Sequence, residues 1–113
     1  MIEIFHNTRC KKSREGLEIL KHSGKEYEIR EYLKNPPGRK EIESLLQKLN
    51  MKPIQIVRQN EKLWKEKFKE KDLDDGELIR ILSENPILIE RPIVINKDAA
   101  VIGRPPSQIE KIL

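Results

Sequence analysis

Within its first 32 residues the chain reads as strand, helix, strand, and this order limits its possible folds more than any other feature. Met1-Ile2-Glu3-Ile4-Phe5 is a short apolar run with one polar residue, the pattern of a buried strand. A helix follows from about Lys11 to Ser23, with Leu17 and Leu20 inward. It closes at Ser23-Gly24, where glycine can supply a left-handed C-cap. Residues 27–32, Tyr-Glu-Ile-Arg-Glu-Tyr, begin by alternating and read as a second strand. Strand, crossover helix and strand imply a parallel pair joined by a right-handed crossover.

Asn35-Pro36-Pro37-Gly38 breaks that pattern, and the middle of the chain is helical in character. Ile42, Leu45, Leu46 and Leu49 fall at i, i+3, i+4 and i+7, which predicts a helix over 39–50, ended by Met51-Lys52-Pro53. Residues 54–58 read as a short helical turn. Leu63, Trp64 and Phe68 form a core stripe at helical spacing. Asp74-x-x-Glu77 is a capping box opening a helix with Leu78, Ile81 and Leu82 inward, closed by Asn85-Pro86. Ile93-Val94-Ile95 is a continuous β-branched run and reads as a buried strand. Asn96-Lys97-Asp98 turns the chain into Ala100-Val101-Ile102, the return of a hairpin. Ser107-x-x-Glu110 is expected to cap a short terminal helix with Ile109, Ile112 and Leu113. The expected fold is α/β, a single thioredoxin-like domain over 1–113. Its order is β-α-β, a helical insertion at about 36–86, a β-hairpin and a helix, with a mixed four-stranded sheet.

Cys10 is the only cysteine, and it falls at the junction of the first strand and first helix. A thiol there lies beside unpaired backbone N–H groups and the positive end of the helix dipole. Arg9, Lys11, Lys12 and Arg14 add positive charge. These effects favour the thiolate, the reactive form, whereas a core cysteine would sit inside an apolar run. The expected role of Cys10 is therefore that of a nucleophile.

Composition bounds the alternatives. The 113 residues suit one domain able to bury a core without staples. One cysteine cannot make an internal disulfide, the N-terminus lacks a signal-peptide pattern, and no apolar stretch is long enough to span a bilayer. The expected location is the cytoplasm, with no membrane partner. The net charge of +4 comes from cations interleaved with acids, the appearance of a solvated helical surface. Only four aromatic residues accompany Trp64, too few for a base-stacking platform, so no nucleic-acid partner is expected. Nor is a metal expected, because no Cys/His cluster has zinc-ligand spacing.

Three arginines stand at element ends. Arg58 follows the turn at 54–58, Arg91 precedes Pro92 and the buried strand, and Arg104 lies between Gly103 and Pro105. Gathered beside a thiolate, they would bind a tetrahedral oxyanion through forked hydrogen bonds; scattered, they are ordinary surface cations. Spacing alone does not decide between these readings.

A set of motifs gives a resemblance. They are His6-Asn7-x-x-Cys10-x-x-Ser13-Arg14, Tyr32-Leu33-Lys34-Asn35-Pro36-Pro37, Val57-Arg58-x-Asn60, Asn85-Pro86-Ile87-Leu88-Ile89-x-Arg91-Pro92-Ile93-Val94 and Gly103-Arg104-Pro105. Across nearly the whole chain and in the right order, they resemble the glutaredoxin-coupled arsenate reductase family, in the thioredoxin-like group that also holds the Spx-type redox regulators. The resemblance implies that Cys10 attacks arsenate, that Arg58, Arg91 and Arg104 hold the oxyanion, and that Pro92 is a structural cis-proline. It further implies glutathione as external reductant, glutaredoxin as partner, and no bound cofactor. Two readings of His6 stay open, tuning of the thiol or packing at the strand end. Ser13 likewise could donate to the thiolate or cap the helix. His22, late on the first helix, is expected to have no catalytic part.

Two departures stand out. Thr8 occupies a position where many relatives have proline, and Arg9-Cys10-Lys11-Lys12 is more basic than usual there. The sequence ends at Leu113, whereas longer members carry a C-terminal extension. Arsenate reduction is the leading expectation. The alternatives are a Spx-like regulator binding RNA polymerase, and a glutathione-dependent thiol enzyme with another substrate. Spx-type proteins use Cys-x-x-Cys as their switch, and here Ser13 replaces the second cysteine.

Overall fold

A computed structural model describes all 113 residues. The elements run β1 (Ile2–Phe5), α1 (Lys11–Ser23), β2 (Tyr27–Arg30), α2 (Arg39–Leu49), α3 (Lys62–Lys67), α4 (Asp75–Glu84), β3 (Ile93–Asn96) and β4 (Ala99–Ile102). Three 3-10 segments, Pro53–Ile56, Pro86–Leu88 and Pro106–Ile112, complete the order. The chain divides into two compact units, residues 1–35 with 91–113, and residues 36–90. No helix is long and apolar enough to cross a membrane.

The first unit is built on a mixed four-stranded sheet in the order β2-β1-β3-β4. β1 and β2 are parallel, with Ile2 opposite Tyr27 and Phe5 opposite Arg30. β3 runs antiparallel to β1 and β4, so β1 lies inside the sheet. Alternation along β1 sends Ile2 and Ile4 to one face, where they join Leu20 of α1, Val94 of β3 and Ile109 of the terminal 3-10 segment in a buried cluster. Each such side chain contributes about 1.5–3 kcal/mol by leaving water. At the end of β1, Phe5 stacks on Tyr32, with ring centroids 6.0 Å apart, and the Arg30 guanidinium lies over the Phe5 ring.

The second unit is helical. α2 buries Ile42, Leu45, Leu46 and Leu49, the periodic set, and packs on α4, which buries Leu78, Ile81 and Leu82. The Asp74 box is formed: its carboxylate accepts from the Glu77 N–H at 2.8 Å, and Glu77 accepts from the Asp74 N–H at 3.4 Å. α3 sets Trp64 against Phe68 at 5.9 Å. Segments 56–58 and 88–90 are tied by an antiparallel bridge between Val57 and Ile89.

The elements differ from sequence expectation in local ways. β2 stops at Arg30 because residues 31–35 form a turn in which Lys34 and Asn35 N–H donate to the Glu31 carbonyl. α2 ends one residue early on Asn50, whose left-handed φ of 56° lets its N–H return to Gln47 O. Residues 87–90, past the expected end of the insertion at about 86, also belong to the helical unit, held there by the Pro86–Leu88 turn and the Val57–Ile89 bridge. At the C-terminus, Ser107 is not a helix cap. The segment begins at Pro106 with Pro105 as N-cap, since a proline in the first turn lacks the N–H that a cap would satisfy.

Candidate active site

The site is assembled at the end of β1. His6 continues the ladder beyond Phe5, its N–H donating to Arg30 O at 2.9 Å. The chain then turns through residues 7–10. Cys10 N–H donates to Asn7 O at 3.0 Å, and the Asn7 side-chain carbonyl accepts from Arg9 N–H at 3.0 Å, an Asx turn. Cys10 is extended, with φ −94° and ψ 123°, and is the N-cap of α1. Its carbonyl accepts the first helical bond from Arg14 N–H, at 3.0 Å. The half-buried thiol therefore sits at the mouth of a 13-residue helix, where first-turn N–H groups lack helical partners.

Arg104 reaches this thiol. Its Nη2 donates to Cys10 Sγ at 3.6 Å, and its Nε donates to the Arg91 carbonyl at 2.8 Å. The Arg91 main chain thus fixes the guanidinium that touches the sulfur. Arg91 Nε is itself buried without a hydrogen-bond partner within the protein. A buried donor left in that state costs about 1–3 kcal/mol, unlike a solvated surface arginine. It is a donor available to an anionic ligand.

Both Arg91–Pro92 and Arg104–Pro105 are cis. The Pro92 carbonyl accepts from Gly103 N–H at 2.8 Å, tying the two cis segments together. Pro92 packs where side chains are missing. A Cβ on Gly16 of α1 would fall 2.9 Å from Pro92 Cγ and 2.9 Å from Ile109 Cδ1, and a Cβ on Gly103 would fall 2.9 Å from Pro92 Cγ.

His6 and Ser13 lie below the turn. Ser13 Oγ, fully buried, accepts from Asn7 N–H at 2.9 Å and lies 2.6 Å from His6 Nδ1. Burial lowers the His6 pKa from 6.5; Glu31 and a hydrogen bond to the Ser13 backbone oppose the shift, while Arg14 and Lys21 add to it. The ring is therefore neutral at pH 7, and in the tautomer that leaves Nδ1 bare the Ser13 hydroxyl donates to it. Neither residue is hydrogen-bonded to Cys10 Sγ. The Ser13 hydroxyl binds His6 and Asn7, and Cys10, rather than Ser13, holds the N-cap position.

The remaining expected residues are placed as follows. Arg58 belongs to the helical unit, where it pairs with Glu61 and Glu90. His22 is exposed, with Nδ1 2.8 Å from Glu18 O. No group of three or more His, Cys, Asp or Glu side chains could hold a metal ion. Sequence reasoning did not single out the Arg104 anchor on Arg91 O, the Pro105 cis bond or the Asn7 turn. Of these, only the turn had a local signal, the tendency of asparagine to bind the backbone two residues on.

The family model described as the ArsC family matches residues 5–112. The chain belongs to that family. Among its ArsC-type relatives, the arsenate reductase of Haemophilus influenzae strain KW20 / Rd is 41% identical over 112 residues, covering 97% of both proteins. The arsenate reductase of Neisseria meningitidis serogroup B strain MC58 is 38% identical over 114 residues, covering 99% of this chain and 97% of that protein. The solved structure of the arsenate reductase from Vibrio cholerae matches with a TM-score of 0.94 and 38% identity, covering 99% of this chain and 97% of that one.

Proposed function

We propose that this ArsC-family chain is a thiol-dependent oxidoreductase that reduces arsenate to arsenite. Cys10 Sγ attacks arsenic and an arsenate oxygen leaves as water, giving a sulfur–arsenic bond. A glutathione thiol then attacks the Cys10 sulfur. The two thiols supply two electrons, arsenite departs, and Cys10 is left in a mixed disulfide with glutathione. With no second cysteine in the chain, glutaredoxin with further glutathione returns Cys10 to the thiol. A reaction fed by glutathione belongs in a thiol-reducing compartment, which supports a cytoplasmic location.

Arg104 and Arg91 neutralise charge on the oxyanion. Arg58 is assigned the same role on the family motif. The observation that carries this reading is Arg104, anchored on Arg91 O and 3.6 Å from Cys10 Sγ, at the N-terminus of α1. Preorganised donors of this kind act on charge as it develops and need no rearrangement to do so.

The test is arsenite formation from arsenate with glutathione and glutaredoxin. Cys10→Ser should abolish it. Arg91→Ala should lower the rate about a hundred- to thousand-fold, the usual loss of one oxyanion donor. Arg91→Lys should restore only part, since an ammonium lacks the planar fork. Absence of arsenate reduction by the wild-type protein under saturating thiol, or undiminished reduction by Cys10→Ser, overturns the reading.

A further inference from the structure

Arg58 stands in an unusual electrostatic setting. The backbone of 56–58 is held to that of 88–90: Arg58 N–H donates to Leu88 O at 2.7 Å and Glu90 N–H donates to Ile56 O at 2.8 Å. This short antiparallel pairing sets Glu90 next to Arg58. Glu61 is fixed from the other side by a turn, its N–H donating to Arg58 O at 3.1 Å. Both carboxylates then meet the guanidinium. Glu61 Oε1 accepts from Nη1, and Glu90 Oε1 lies 3.6 Å from Nε. The three side chains are only 20%, 24% and 24% exposed, so this is a partly desolvated cluster rather than a surface ion pair.

One guanidinium faces two carboxylates, so its positive charge is met from two sides. Nη1 and Nε each already face a carboxylate, which leaves Nη2 as the nitrogen paired with neither. An oxyanion approaching Arg58 meets a donor already engaged by two carboxylates.

We propose that Glu61 and Glu90 are affinity-setting residues, built-in competitors that weaken the hold of Arg58 on an oxyanion. The inference rests on the reading of Arg58 as an oxyanion donor. The two carboxylates occupy the sites that a free arginine fork would offer, and they repel the anion that comes to replace them. The ground-state complex is thereby loosened. Weak ground-state binding raises KM without lowering kcat and limits occupancy by other tetrahedral anions such as sulfate and phosphate.

The experiment measures binding of inorganic arsenate and inorganic sulfate by calorimetry in phosphate-free buffer, in a Cys10→Ser background that holds the arsenate unreacted. Glu61→Gln, Glu90→Gln and the double variant are compared with their parent, each measured both with Arg58 intact and with Arg58→Ala. Glutamine keeps the shape and an acceptor oxygen while removing the charge. Each single change should lower Kd about three- to tenfold, the scale of one unit charge lost near a half-buried site. The gain should vanish when Arg58 is alanine. In turnover assays of the Cys10-containing protein the gain should appear in KM for arsenate rather than in kcat. Far-UV circular dichroism confirms folding, and either single variant suffices. If Arg58→Ala weakens binding but the glutamine variants bind no tighter, the carboxylates orient Arg58 and the competitor role is wrong. If Arg58→Ala binds like its parent, the assignment of Arg58 to the oxyanion fails, and the inference fails with it.

Discussion

Ser13→Ala removes one oxygen and should have an effect well beyond its size. The Ser13 hydroxyl is fully buried and serves two groups, the Asn7 N–H at 2.9 Å and His6 Nδ1 at 2.6 Å. Neither has a replacement within the alanine variant. Each lost bond is worth about 1 kcal/mol net, and leaving a buried partner unsatisfied raises the cost to about 1–3 kcal/mol. With Asn7 N–H only part-buried and the His6 ring buried, the expected total is about 2–4 kcal/mol. For a chain near 100 residues, 1 kcal/mol shifts Tm by about 4 °C or more, so a fall of roughly 8–16 °C is expected. Urea denaturation gives the free energy, and a double-mutant cycle with His6→Ala isolates the pair. A coupling of about 0.5–3 kcal/mol is expected for groups in direct contact. Because Asn7 also receives the Cys10 N–H on its carbonyl, the variant should slow Cys10 alkylation at fixed pH. A loss below about 0.5 kcal/mol with no coupling, typical of a surface substitution, would refute the assignment of this hydroxyl as the support of the cysteine turn.

His6 also predicts a dependence of stability on pH. Its folded pKa lies below 6.5, so as pH falls through 6.5 the unfolded chain takes up a proton that the folded chain resists, and stability drops until the folded pKa is passed. Denaturation midpoints measured from pH 7.5 downward should show this component in the wild type and lack it in His6→Asn; equal slopes in the two proteins would contradict it. Gly103→Ala should destabilise by about 1–3 kcal/mol, because its Cβ would meet the Pro92 ring at 2.9 Å and Ile109 Cδ1 at 3.0 Å. A thermal midpoint at or above wild type would show that this packing yields more easily than its distances imply.

The parts of the fold legible in the sequence were those governed by local periodicity. Ile42, Leu45, Leu46 and Leu49 carried α2, the Asp74 box carried the start of α4, and the β-branched run at 93–95 carried β3. At the terminal segment the Ser107 box is overridden by Pro106, because a proline in the first turn has a preset φ and no N–H to satisfy. At the end of β2 the alternation of 27–32 masked the turn that lets Tyr32 become fully buried against Phe5. Cys10 was legible as a residue between strand and helix, but its contact with Arg104 joins positions 94 apart and no spacing rule reaches that far. For the same reason the Ser13 hydroxyl had two open partners until the end of β1 was seen to place His6 beside it. The carboxylates around Arg58 were hidden in part, since Glu90 reaches Arg58 only through the pairing of two distant loops.

The glycines on either side of Pro92 divide the neighbourhood of Cys10 into a part that can vary and a part that cannot. Beneath the cis-proline segment, Gly16 and Gly103 leave no room even for a methyl group, so a lineage carrying this site has little freedom to retune it from below. Thr8, Arg9, Lys11 and Lys12 flank the sulfur in sequence and are exposed to solvent, where most substitutions shift stability by less than about 0.5 kcal/mol. Divergence of substrate or partner among chains of this design would therefore accumulate in the rim around the sulfur, above a floor that stays the same. Libraries built to redirect the chemistry would retain most folded members if diversified at those four rim positions, and would lose most of them if diversified at 16 or 103.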